Sequence, residues 1–153
     1  MAGLLGIRRE DKNIWERRVP LSPEHLKRLK DEHDIDACLQ PFPDRAFSDK
    51  EYRQVGSRID DDLSSCDIIL AVKEIPPSLL LPDKIYLFFS HTIKGQSFNM
   101  PMLQQLVNLK STLIDYECIT DENGKRLVFF GRFAGLAGML DGLYALGQRY
   151  HSL

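Results

Sequence analysis

Two stretches of this sequence constrain its fold more than any other: Asp67–Val72 (DIILAV) and Ile85–Phe89 (IYLFF). Past Asp67 both are apolar at successive positions, so a strand built from either carries apolar side chains on both faces. Such a strand needs cover on both sides, which is the situation of a central strand in a parallel sheet. The first run is also rich in β-branched residues, which favour the pleated conformation.

The surrounding sequence supplies what such a sheet requires. Gly3 to Arg8 reads as a short buried strand, followed by a polar stretch from Arg9 to Arg18. Ser22 with Pro23 behind it is a helix start, and Leu26 and Leu29 give that helix one apolar face. Ala37 to Gln40 is the next strand, closed by Pro41 and Pro43. Ser48-Asp49-Lys50-Glu51 is a capping box opening a short helix that stops at Gly56. Pro76, Pro77 and Pro82 mark a connection with one helical turn; Asn99 and Pro101 start a further helix, and Thr112 to Asp115 is a strand. Asp121-Glu122-Asn123-Gly124 is a turn, predicting a hairpin with arms Tyr116–Thr120 and Arg126–Phe130. Ala134 to Tyr150 reads as a long C-terminal helix. Strands alternating with helices predict an α/β domain with a mostly parallel sheet.

Composition narrows the function. Twenty basic against twenty-two acidic residues in 153 leave a net charge of −2, giving no electrostatic case for nucleic acid or an anionic membrane as partner. The longest apolar-plus-glycine run, Phe133 to Leu140, falls far below the ~20 residues of a membrane span. Met1 to Leu5 lacks the basic start of a secretory leader, so a cytoplasmic location is expected, or a mitochondrial one if a transit peptide has been lost. Cys38, Cys66 and Cys118 sit among apolar neighbours and are expected to be buried free thiols. No histidine pairs with another, or with a cysteine, at ligand spacing, so no metal is expected.

Parallel sheets bind ligands at the carboxyl ends of their strands. Lys73-Glu74 follows DIILAV, and Ser90-His91-Thr92-Ile93-Lys94 follows IYLFF. A lysine beside such a sheet loses basicity by desolvation and histidine titrates near neutrality, so Lys73 and His91 are equipped for two proton transfers at one carbonyl or imine carbon. The plainer alternative makes Lys73 a solvated strand-end charge and His91 a local hydrogen bonder. Arg17 and Arg18, after the first strand, offer planar forks for a dicarboxylate or amino-acid substrate; alternatively they are loop charges paired with Glu10 or Glu16. Glu117 is placed to tune a nearby lysine, or is an ordinary glutamate. Gly131, Gly135 and Gly138 have the spacing G-x-x-x-G-x-x-G, which is not a dinucleotide fingerprint. With Ala134, Ala137, Gly142 and Ala145 they predict a small-residue face for close helix packing.

Several strings carry a family likeness: Arg8-Arg9-Glu10, Trp15-Glu16-Arg17-Arg18-Val19-Pro20-Leu21, Val72-Lys73-Glu74, Phe88-Phe89-Ser90-His91-Thr92-Ile93-Lys94, Ile114-Asp115-Tyr116-Glu117 and Phe130-Gly131-Arg132-Phe133-Ala134-Gly135. Over nearly its whole length the chain resembles the N-terminal part of the lysine–2-oxoglutarate reductase module of bifunctional aminoadipic semialdehyde synthases. That module is related to the saccharopine dehydrogenases and, more distantly, to alanine dehydrogenase and nicotinamide nucleotide transhydrogenase.

The resemblance implies a Rossmann-like three-layer domain over 1–153, forming the substrate side of an enzyme. It implies condensation of L-lysine with 2-oxoglutarate and reduction of the imine to saccharopine, or the reverse. Lys73 and His91 match the family's acid–base residues, and Arg18, with Arg17 beside it, its substrate-carboxylate arginine. Glu74 and Glu117 match acidic residues that tune the lysine. The cofactor, NADP or NAD, is expected on a nucleotide-binding domain that lies downstream and is absent from this chain. A carboxylate-binding or regulatory module without catalysis is the alternative from another class.

Overall fold

The computed structural model describes residues 3–151, and the chain divides between Cys118 and Ile119 into two compact units. Met1 and Ala2, the start of the segment read for a leader, lie outside the described residues.

The first unit is built on six strands: β1 (Gly3–Ile7), β2 (Ile35–Leu39), β3 (Arg58–Ile59), β4 (Ile68–Leu70), β5 (Ile85–Phe88) and β6 (Thr112–Asp115). All pair in parallel, in the order β3-β2-β1-β4-β5-β6. This is the doubly wound order, and the chain reverses direction across the sheet between β1 and β4. The two sequence runs apolar on both faces are β4 and β5, adjacent and central. β3, of two residues, carries no apolar alternation and was not foreseen.

Period-two alternation sorts the core into two layers. Ile7, Ala37, Leu39 and Leu70 pack on one face with Leu26 of α1 (Pro23–His33) and Tyr52 of α2 (Asp49–Gln54). Cys38, Ile69, Tyr86 and Phe88 pack on the other with Met102 and Leu106 of α3 (Met100–Asn108). Each such side chain, fully buried, contributes about 1.5–3 kcal/mol. Both expected caps form: Ser22 and His25, and Ser48 and Glu51, satisfy each other's backbone N–H groups at the starts of α1 and α2. Where β1 meets this second layer the packing is close, because a Cβ at Gly6 would lie 3.1 Å from Cys66 Cβ and 3.3 Å from Ile69 Cγ1.

The second unit holds the Asp121–Gly124 turn and α4 (Gly131–Arg149). The expected hairpin reduces to a single antiparallel bridge, Thr120 to Arg126, and residues 116–118 form a 3₁₀ turn instead of a strand. The small-residue face does not pack as expected: no residue of α4 is buried, and a Cβ at Gly135, Gly138 or Gly142 would meet no atom within 4 Å. No described helix is long and apolar enough to cross a membrane.

Candidate active site

The carboxyl ends of β1 and β4, at the reversal of strand order, are joined by Glu10. Its buried carboxylate accepts the backbone N–H of Val72 at 2.6 Å and that of Lys73 at 2.9 Å. Burial pushes the Glu10 carboxyl above its usual range against the pull of those two N–H groups and of Arg8, with Glu16 raising it further. Arg8, also buried, forks onto Asp11. Glu10 further raises the phenol of Tyr116, whose main perturbation is burial.

Arg18 is half-exposed and forks onto Glu16, with Nε to Oε1 at 2.8 Å and Nη2 to Oε2 at 2.6 Å. That pairing holds the Glu16 carboxyl low despite its burial, and the Lys73 ammonium lowers it further. Arg18, Glu16, Glu10 and Lys73 therefore share one electrostatic neighbourhood. The fork geometry suited to a carboxylate is present, and a carboxylate of the chain itself sits in it. Arg17 is exposed, and its carbonyl accepts the N–H of Ala46.

Lys73 and His91 follow adjacent strands. The β4–β5 ladder continues past Leu70–Leu87 through Phe89 N–H donating to the Val72 carbonyl at 3.1 Å. This sets Lys73 level with the residues leading into His91, with parallel strands ~4.8 Å apart. Glu74 lies 3.7 Å from Lys12 through Oε1, while its Oε2 is buried with no hydrogen-bond partner.

Past β5 the backbone of His91 enters the left-handed region at φ 54°. Its Nδ1 lies 2.8 Å from Glu117 Oε2, and Lys94 Nζ lies 3.2 Å from Glu117 Oε1. Burial works to raise the Glu117 carboxyl, but His91 and Lys94 together hold it below its usual range. The Phe89 ring stacks on the imidazole, with centroids 6.3 Å apart. Glu117 thus bonds the imidazole of His91 and pairs with the Lys94 ammonium.

The sequence reading did not single out Glu10, Ser90, Asp115 or Lys94 for the site. Glu10 had a visible signal, an acidic residue just past a buried strand. Asn99, read only as a helix start, makes no side-chain cap; its Nδ2 instead donates to the Ser90 carbonyl at 3.1 Å.

Fold and site together define a doubly wound α/β domain with titratable side chains just past the carboxyl ends of its parallel strands. The chain belongs to the alanine dehydrogenase/PNT N-terminal domain family, whose model matches residues 6–137. It is 46% identical to an alpha-aminoadipic semialdehyde synthase of Arabidopsis thaliana over 96% of this chain and 14% of that protein. It is 32% identical to a saccharopine dehydrogenase (NAD+, L-lysine-forming) of Candida glabrata over 94% of this chain and 40% of that protein. An L-alanine dehydrogenase structure superposes with a TM-score of 0.67 at 22% identity, over 80% of this chain and 34% of that one, a likeness of fold. The chain thus spans well under half the length of these relatives.

Proposed function

We propose that this chain is the substrate-side acid–base domain of an oxidoreductase of lysine catabolism, one that joins the ε-amine of L-lysine to C2 of 2-oxoglutarate on the way to saccharopine. The observation supporting this best is the placement of Lys73 and His91 just past adjacent parallel strands, with Glu16 near the first and Glu117 bonded to the second. Forming the imine moves two protons from the amine nitrogen to the carbonyl oxygen, which leaves as water. Two proton carriers at one sheet edge suit that transfer, each acting as general acid in one direction and general base in the other. Arg18 exchanges Glu16 for a carboxylate of the keto acid and so orients it, a bidentate contact of the kind arginine makes best.

A nicotinamide cofactor, NADP or NAD, supplies the hydride in this reading. The described residues do not fit its pyrophosphate, which needs open backbone amides at a glycine turn. At the reversal point the amides of Val72 and Lys73 are already taken by the Glu10 carboxylate. Gly131, which opens α4, is followed by glycines at 135 and 138, not by the G-x-G-x-x-G turn that cradles a pyrophosphate. In this reading cofactor binding belongs to a downstream domain. The lysine-forming name of the Candida glabrata relative favours the reverse direction as a second reading, served by the same proton carriers.

The test uses this chain joined to its nucleotide-binding domain. Lys73→Met and His91→Gln should each lower kcat by ~10²–10⁴-fold. Arg18→Ala should chiefly raise KM for 2-oxoglutarate. Full kcat in Lys73→Met would reduce that lysine to a surface charge and defeat the reading.

A further inference from the structure

The Asp115 carboxylate, at the carboxyl end of β6, holds both halves of the His91–Glu117 contact, one through Ser90 beside His91 and the other through the backbone of Glu117 itself. Its Oδ2 accepts the hydroxyl of Ser90, the residue before His91. Its Oδ1 accepts the backbone N–H of Glu117 at 2.8 Å. Ser90, Asp115 and Asn99 are all buried. The Ser90 hydroxyl oxygen also accepts the backbone N–H of Thr92 at 3.2 Å, and Asn99 holds the Ser90 carbonyl. These three bonds of Ser90 all bear on the turn that carries His91.

That turn needs holding. His91 has a positive φ, a strained conformation for a residue with a side chain, sustained only where the surroundings over-determine it. Relaxing it would swing the imidazole away from Glu117. We propose that Asp115, acting through Ser90, is the positioning residue of this site: it locks the left-handed turn at His91 so that Nδ1 donates to Glu117 and Nε2 is the atom left to exchange protons with substrate. This rests on the acid–base reading of His91 for its catalytic consequence but not for its geometry. The charged groups facing the imidazole in the structure are Glu117, from the turn after β6, and Lys94, from the turn after β5.

Imidazole ¹⁵N shifts, recorded on the protein at neutral pH, report the tautomer directly. The wild type should show His91 as the Nδ1–H form, the one a carboxylate at Nδ1 selects. Ser90→Ala and Asp115→Asn, each checked for native circular dichroism, should lose that preference, while Ser90→Thr, which keeps the hydroxyl, should retain it. If Asp115→Asn does not fold, Ser90→Ala decides. In the complete enzyme, folded Ser90→Ala should lower kcat about tenfold or more with little change in KM for 2-oxoglutarate. An Nε2–H tautomer in the wild type, or an unchanged tautomer in folded Ser90→Ala, overturns the proposal. A tautomer that responds as expected in an enzyme without reductase activity would uphold the positioning role and reject the functional reading instead.

Discussion

Glu10 accepts the backbone N–H of Lys73 at 2.9 Å, across 63 residues of sequence. The same carboxylate takes the N–H of Val72, so the loop after β1 fastens the end of β4. Truncation to alanine leaves two N–H groups without their acceptor, each worth about 1–3 kcal/mol when buried. Glu10→Ala should therefore cost more than ~2 kcal/mol in urea unfolding. Glu10→Gln should recover only part of it, because one amide oxygen faces two donors. A loss below 0.5 kcal/mol, roughly that of an ordinary surface change, would mean the latch holds nothing.

Glu117 carries a pH signature. It is held below its ordinary value of 4.5, because His91 and Lys94 outweigh the effect of burial. A carboxyl depressed by folding adds stability that is complete above 4.5 and is lost as pH falls through the lower folded value. Glu117→Gln should accordingly be less stable than wild type at pH 7, with the gap closing below about pH 4.5. Denaturant midpoints measured across that range decide it; a constant gap would show that the carboxyl gains nothing from its two partners.

Glycine substitutions should divide by location. Gly6→Ala drives a methyl into Cys66 and Ile69 and should cost about 1–3 kcal/mol. Gly138→Ala meets open space and should raise helicity of α4, gaining up to about 1 kcal/mol of helix propensity. Even Gly138→Leu should leave the thermal midpoint intact, the reverse of what a small-residue packing face demands.

Thiol chemistry separates the three cysteines. Cys38 and Cys66 are buried and Cys118 is exposed, a correction to the expectation that all three are buried. Burial pushes the Cys66 thiol up to about 11, with Cys38 beside it adding to the effect. A thiol reagent at pH 8 should label Cys118 at once and the other two only on unfolding. Fast labelling of Cys66 in the native protein would contradict its placement in the core.

What the sequence determined by itself is local. Apolar character on both faces of DIILAV and IYLFF marks β4 and β5 as central strands, because successive apolar residues in a strand point to opposite faces and both faces then need cover. Both N-caps are equally legible, Ser22 by the Pro23 behind it and Ser48 by the Glu51 three residues on. The positions of Lys73 and His91 past those strands were readable for the same reason. Only the tertiary structure decided strand order, and with it which ends meet. Glu10 reaches Lys73, and Asp115 reaches Ser90 and the His91 turn, through pairings of β1 with β4 and β5 with β6 that no local pattern encodes. Burial of Cys118 and of α4 was misread because an apolar residue records what could be covered, while its cover comes from chain distant in sequence. Hydrogen bonds over two or three residues are written into the chain; those over twenty-five or sixty-three exist only once the sheet has brought their ends together.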